Sequence, residues 1–193
     1  MKPRRILLSA AVLCLAAGSA AASTVIGLSI EDQARLSKLI VVGQIVGQQG
    51  VDHPDNGLET EVTFLVTDVF KGTMTPGQSI QFYTRSGELN GEISRAAGEA
   101  VFQVGQTALV FMEEVDGRAY NLGLSMGVWN VQVDEKGRTS FTRALQDGLE
   151  VVGGIEIERG PLWYRDMASR VAWTLTHPEF DNAMLRETFG QGR

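Results

Sequence analysis

A few short groupings in this chain have residue types that could carry chemistry. Gly123-Leu124-Ser125-Met126-Gly127 has the Gly-x-Ser-x-Gly spacing that exposes a nucleophilic serine on a strand-to-helix elbow. That chemistry also needs an acid and then a histidine further along the chain. Here "VWNVQV" follows and reads as a strand, and His177 stands before Pro178 at a helix end. A glycine-bracketed bend between strands accounts for the motif without catalysis. Asp52-His53-Pro54-Asp55-Asn56 gathers oxygen and nitrogen ligands in one loop. A metal site needs three or more converging groups, whereas Pro-Asp-Asn-Gly is strong turn chemistry. Glu113, Glu114 and Asp116 could supply carboxylates for glycoside hydrolysis, which requires two of them facing each other across a cleft. Beside a hairpin turn they read as solvated charge. Lys71-Gly72 reads as a turn, and no P-loop or dinucleotide fingerprint appears. No catalytic residue is assigned, and neither a metal nor another cofactor is implied.

A strand face offers more. If Phe64 and Phe82 point inward, period-two alternation puts Thr63, Thr67, Tyr83 and Arg85 on one outer face. With the loop that holds His53, these residues form the candidate ligand-binding set. The C-terminal helices could instead cover this face. Trp163 and Trp173 read as core or lid anchors.

The elements that must position these residues can be read from period and punctuation. Ser29 and Asp32 form the start of a short helix in "GLSIEDQARLSKL". A β-branched strand over residues 38–48 follows, with Gly43 and Gly47 as bend or bulge positions. The stretch 59–86 is a hairpin reversing through "KGTMTPGQ", and Leu65, Val69 and Phe70 predict cover on both faces of its first strand. One short strand falls near residues 92–95. Asp116-Gly117 marks the next hairpin, and Glu135 to Gly137 another. Beyond Leu145 the period changes: Met167, Val171 and Leu175 predict an amphipathic helix ended by Pro178, and Phe180, Met184, Leu185 and Phe189 predict a second.

The expected fold is mainly β: an OB-like antiparallel barrel of five or more strands, with a short N-terminal helix and two C-terminal helices. A β-sandwich is the alternative. The expected division is a signal peptide over 1–22, the OB-like β-barrel over 23–145, and a helical C-terminal extension over 146–193 packed on it.

The leader follows from Lys2, Arg4 and Arg5, an apolar run from Ile6 to Ala17, and the small residues Ala20-Ala21-Ala22. That run is short for a bilayer span, so the expectation is Sec export to the periplasm or beyond, with cleavage after Ala22. Cleavage removes Cys14, the single cysteine, so disulfides play no part. It also leaves 14 basic residues against 23 acidic ones, a formal balance of −9. Such a chain suits neither nucleic acid nor an anionic membrane surface, and no second apolar run reaches spanning length.

In order, "KLIVVGQIVG", "TEVTFLVTDVFKG", "GQSIQFYTRSGELNG", "VFQVGQTALVFM" and "YNLGLSMGVWNV" resemble an uncharacterised family of exported bacterial proteins over about residues 39–133. Arg85-Ser86-Gly87 stands where that family often has a double glycine. More distantly the order resembles the netrin-like OB barrel of tissue inhibitors of metalloproteinases. The resemblance implies a non-enzymatic exported protein, with an exported protein or protease as possible partner. Those inhibitors chelate zinc through a disulfide-pinned N-terminal cysteine, which this chain lacks. The alternatives are a periplasmic hydrolase using Ser125 or the acidic cluster, and a structural envelope component.

Overall fold

The structure, a computed structural model, describes residues 23–146, 149–153 and 157–178. The expected leader and the expected second C-terminal helix lie outside the described residues. The chain enters through β1 (Ser23–Ile26) and α1 (Ile30–Leu36). A reciprocal cap starts α1: the Ser29 hydroxyl accepts from Asp32 N at 3.1 Å, and the Asp32 carboxylate accepts from Ser29 N at 3.3 Å. Two long strands follow, β2 (Leu39–His53) and β3 (Gly57–Lys71), then β4 (Ser79–Thr84). The small hairpin β5 (Gly87–Leu89) and β6 (Glu92–Ser94) stands apart as its own sheet. The chain continues through β7 (Thr107–Val115), β8 (Arg118–Asn121), β9 (Val128–Val133), β10 (Thr139–Arg143), β11 (Leu149–Val152), β12 (Leu162–Trp163) and α2 (Tyr164–Thr176). β2 runs past the expected end at Gln48 because the turn after His53 is tight and residues 57–61 pair straight back.

The fold is mainly β, with one large sheet ordered β12-β10-β9-β7-β2-β3-β4-β8. β8 pairs a second time, with β7, so the pairings β7-β2-β3-β4-β8-β7 form a closed cycle. β1 pairs in parallel with β11 away from this sheet. The sequence carries no signal for β1, β11 or β12, which are four residues or shorter and depend on partners distant in the chain.

Two hydrophobic clusters share the central strands. Val41 and Ile45 of β2, with Ala108, Val110 and Met112 of β7, meet Val62, Phe64, Val66 and Phe82 in one cluster. Ile40, Val42, Leu109 and Phe111 point the other way, to Leu28, Ile30, Trp129, Phe141, Met167 and Val171. The two-sided burial expected of β3 therefore falls mainly on β2 and β7. β2 must bend to serve both clusters, and it does so through register shifts around Gly43. A Cβ at Gly43 would lie 2.3 Å from the carbonyl oxygen of Leu65, so only glycine fits there.

Ions tie the helices down. Arg170 of α2 holds Glu31 of α1 through two hydrogen bonds of 2.7 and 2.9 Å, and also pairs with Glu158. Lys71 ends β3 and places its ammonium on the last carbonyls of α1, donating to Ala34 O at 2.7 Å, Arg35 O at 3.2 Å and Ser37 O at 2.5 Å. The Lys-Gly pair thus does more than turn the chain: its lysine caps a helix C-terminus, where cations are favoured.

Lys71→Met is expected to lower unfolding stability by about 1–2 kcal/mol in urea titrations, with the β signature retained in circular dichroism. A second prediction concerns alkaline pH. The Tyr164 hydroxyl donates to Asp68 at 2.5 Å, and this bond, then burial, pushes its pKa up to about 12. The folded state keeps a proton that the unfolded chain loses near 10. Tyr164 therefore contributes stability below pH 10 that fades as pH rises toward 12. Tyr164→Phe should flatten the fall in stability across that window, read as melting temperature against pH.

Candidate functional site

The cycle is closed by very little backbone. Between β4 and β8 the only register pair is Tyr83 with Tyr120, in parallel. Side chains complete the wall. The Tyr83 and Tyr120 rings lie 6.0 Å apart. The Arg118 guanidinium sits 3.6 Å from the centre of the Tyr83 ring, and that of Arg85 4.8 Å from the Tyr120 ring. Between them Glu59 is fully buried. Its carboxylate accepts from Tyr120 Oη at 2.9 Å and Asn56 Nδ2 at 3.1 Å, and faces Arg118 Nη1 at 3.0 Å. Burial, then the bond to Glu59, pushes the Tyr120 phenol up from its ordinary value. Tyr83 donates to Glu61 at 2.9 Å, and Arg85 pairs with Glu113 at 3.3 Å.

Of the residues expected to bind, Tyr83 and Arg85 meet in this wall. The other expected residues do not join them. Thr63 lies further along β3, between Gly47 and Gln81. Thr67 is exposed and donates its hydroxyl to Val42 O at 3.2 Å beside the β2 bend. His53 uses Nδ1 to accept the backbone N–H groups of Asp55 and Asn56, both at 3.2 Å, and so shapes the hairpin tip. That tip reaches the wall through Asn56. The packing of α2 is elsewhere, against α1, Asp68 and Phe70 of β3, and Phe141 of β10.

A cavity of about 480 Å³ opens beside the wall. The β5–β6 hairpin and the irregular segment 95–102 form two of its sides, and Thr60 and Val62 of β3 and Thr84 of β4 a third. Gly87 lets β5 lie against β3, because a Cβ there would fall 2.3 Å from Glu59 O. Thr60 and Thr84 both donate to Ser86 O, at 2.7 and 3.0 Å. Glu99 lines the cavity with only 4% of its surface exposed. Its carboxylate accepts from Arg85 N and Ala100 N, both at 2.9 Å, and from Asn121 Nδ2 at 2.7 Å. Arg85 thereby joins the two features: its backbone serves the cavity and its side chain serves the wall.

The remaining chemical candidates serve the scaffold. Ser125 is fully buried in a short 3-10 turn (Leu124–Gly127) that leads into β9, not into an α-helix. Its hydroxyl accepts from Gln146 N at 3.1 Å and its N–H donates to Gly98 O at 3.1 Å, which holds the cavity segment in place. Glu114 and Asp116 are exposed at the β7–β8 turn. Among the described residues, no group of three or more His, Cys, Asp or Glu could hold a metal ion. Glu59, Glu99, Arg118 and Tyr120 carry no local sequence signal, since each is buried or paired by a residue more than ten positions away.

No known protein-family model matches this chain, and no curated protein matches it in sequence.

Arg118→Met should cost about 3 kcal/mol in urea unfolding, because it leaves the Glu59 charge buried without its cation. Glu59→Gln should cost less: an amide oxygen still accepts from Tyr120, and Arg118, one quarter exposed, can turn to water.

Proposed function

We propose that this chain is an exported, non-enzymatic module that binds another protein through the cavity and its rim. The observation that carries this reading is the company the cavity keeps. Its walls include the exposed side chains of Ile93, 56% accessible, and Val101, 66% accessible. Apolar side chains grouped at the mouth of a half-polar cavity are the composition of a protein-recognition surface. Ser125 is buried and anchors the cavity segment, and Glu113 pairs with Arg85, which favours binding over turnover.

An OB-like barrel of the netrin-like kind is the proposed architecture. The closed pairing cycle of five strands supports it, as does the single parallel contact that completes the cycle. The basic and apolar pattern of residues 1–22 supports export. A partner or inhibitor of an exported protease is the most specific version, and its support is the resemblance in strand order alone.

The test places a photo-crosslinking amino acid at Val101, at Ile93, or at Val133, which is equally exposed but on β9. Cells expressing the full chain are then irradiated. One discrete heavier species from Val101 and Ile93, and none from Val133, is expected. Equal patterns from all three positions, or no adduct from any, would remove the reading. Turnover of an ester, peptide or glycoside panel that disappears in Ser125→Ala would replace it with a hydrolase.

A further inference from the structure

We infer that the cavity receives a lysine side chain of the partner, with its ammonium against the carboxylate of Glu99. This inference rests on the binding reading above and deepens it. Glu99 is an unusual buried carboxylate. Three N–H donors hold it, and among the described residues no arginine or lysine forms a salt bridge with it. Among the described residues, the arginines nearest in the fold are committed elsewhere: Arg118 to Glu59 and the Arg85 side chain to Glu113. Arg95 also lines the cavity but is exposed and forms no ion pair among those found in the described residues. Among the described residues, this carboxylate therefore borders a space large enough for a ligand and has no counter-ion.

The form of the vacancy selects the cation. An ionised carboxylate offers about four lone-pair sites. On Glu99, Oε1 accepts from both Ala100 N and Asn121 Nδ2, and Oε2 accepts from Arg85 N. About one site remains, on one oxygen. A guanidinium seeks two parallel bonds to both oxygens of a carboxylate, which Glu99 no longer offers. An ammonium is a point charge that needs a single strong acceptor and can spend its other protons on neutral oxygens. The Gln48 amide lines the same cavity, and its nitrogen is tied to Phe102 O at 3.1 Å, leaving its oxygen to accept. The apolar wall of Val62, Ala100 and Phe102 suits a four-carbon stem. The formal balance of −9 that remains after removal of the leader favours the approach of a basic segment.

The test is a nitrogen-15 NMR titration of the full chain lacking only residues that cellular processing removes. The probes are the blocked tripeptides Ac-Gly-Lys-Gly-NH2, its Nε-acetyl-lysine analogue, and Ac-Gly-Arg-Gly-NH2. The lysine peptide should shift amides within residues 96–102. The acetylated and arginine peptides should bind at least about tenfold more weakly, the loss expected for one charge-assisted bond. Glu99→Gln should erase the preference. If that variant does not fold, Ala97→Leu, which narrows the cavity without touching the carboxylate, should abolish the lysine response in a chain with native amide dispersion. Equal binding of lysine and acetyl-lysine peptides, shifts confined to other surfaces, or no response to the lysine peptide would overturn the inference. If the Val101 crosslink survives in Glu99→Gln at full yield, the binding reading stands and the lysine inference fails.

Discussion

Burial of both faces of β2 and β7 is the constraint on which the rest of this structure depends. Successive side chains on a strand point to opposite faces, so Ile40 and Val42 serve one cluster while Val41 and Ile45 serve the other. Leu109 and Phe111 alternate in the same way with Ala108, Val110 and Met112. Each large side chain buried this way is worth about 1.5–3 kcal/mol. A one-residue slip between these strands would exchange the contents of the two clusters, so the register is strongly specified. The helices can then dock on one side only, where Met167 and Val171 meet Ile30 and Ala34. The opposite side is left to β3, β4 and the closing strand β8.

Closure at β8 follows a different logic. A single backbone register pair cannot define the contact, and charge and π contacts supply the rest. Glu59 is the pivot of that wall. Its carboxylate draws Tyr120 and Arg118 from β8 and Asn56 from the hairpin tip onto one point. The β7–β8 hairpin fixes the register of β8; parting it from β4 would strand the Glu59 charge without Arg118 and Tyr120, which costs far more than a misplaced apolar group. Stability here comes from the two clusters; β8 takes its register from its hairpin with β7, and Glu59 fastens it to the β3–β4 side.

This division explains what the sequence could and could not reveal. Ser29 with Asp32, the Asp116-Gly117 turn and the alternation of Phe64 and Phe82 act within a few residues, so each reads directly. Tyr83 and Arg85 share a face for the same local reason. Thr63 and Thr67 share that parity, but alternation says nothing of how far along a strand the neighbours extend, and the wall is complete before it reaches them. Lys71 reads as a turn residue because its helix partner lies more than thirty positions earlier in the chain. Glu59 and Glu99 look like ordinary surface acids until β8 and segment 95–102 arrive to bury them. Ser125 illustrates the converse: its motif is local and legible, but its burial and its bond to Gln146 are set by the assembled fold.

Glu59 and Glu99, the two buried carboxylates on this side of the sheet, are held in different ways. Glu59 has an arginine, a phenol and an amide, so its charge is answered within the wall. Among the described residues, Glu99 has N–H donors and no salt-bridge partner. Had selection acted on stability only, an apolar residue at position 99 would have avoided the cost of burying that charge. The donors around Glu99 come from Arg85, Ala100 and Asn121, on three separate parts of the chain, so the anion is held in place by the fold as a whole. A preorganised charge of this kind costs nothing further to orient when a cation arrives, which is why the proposed binding is assigned to the cavity and not to the balanced wall beside it.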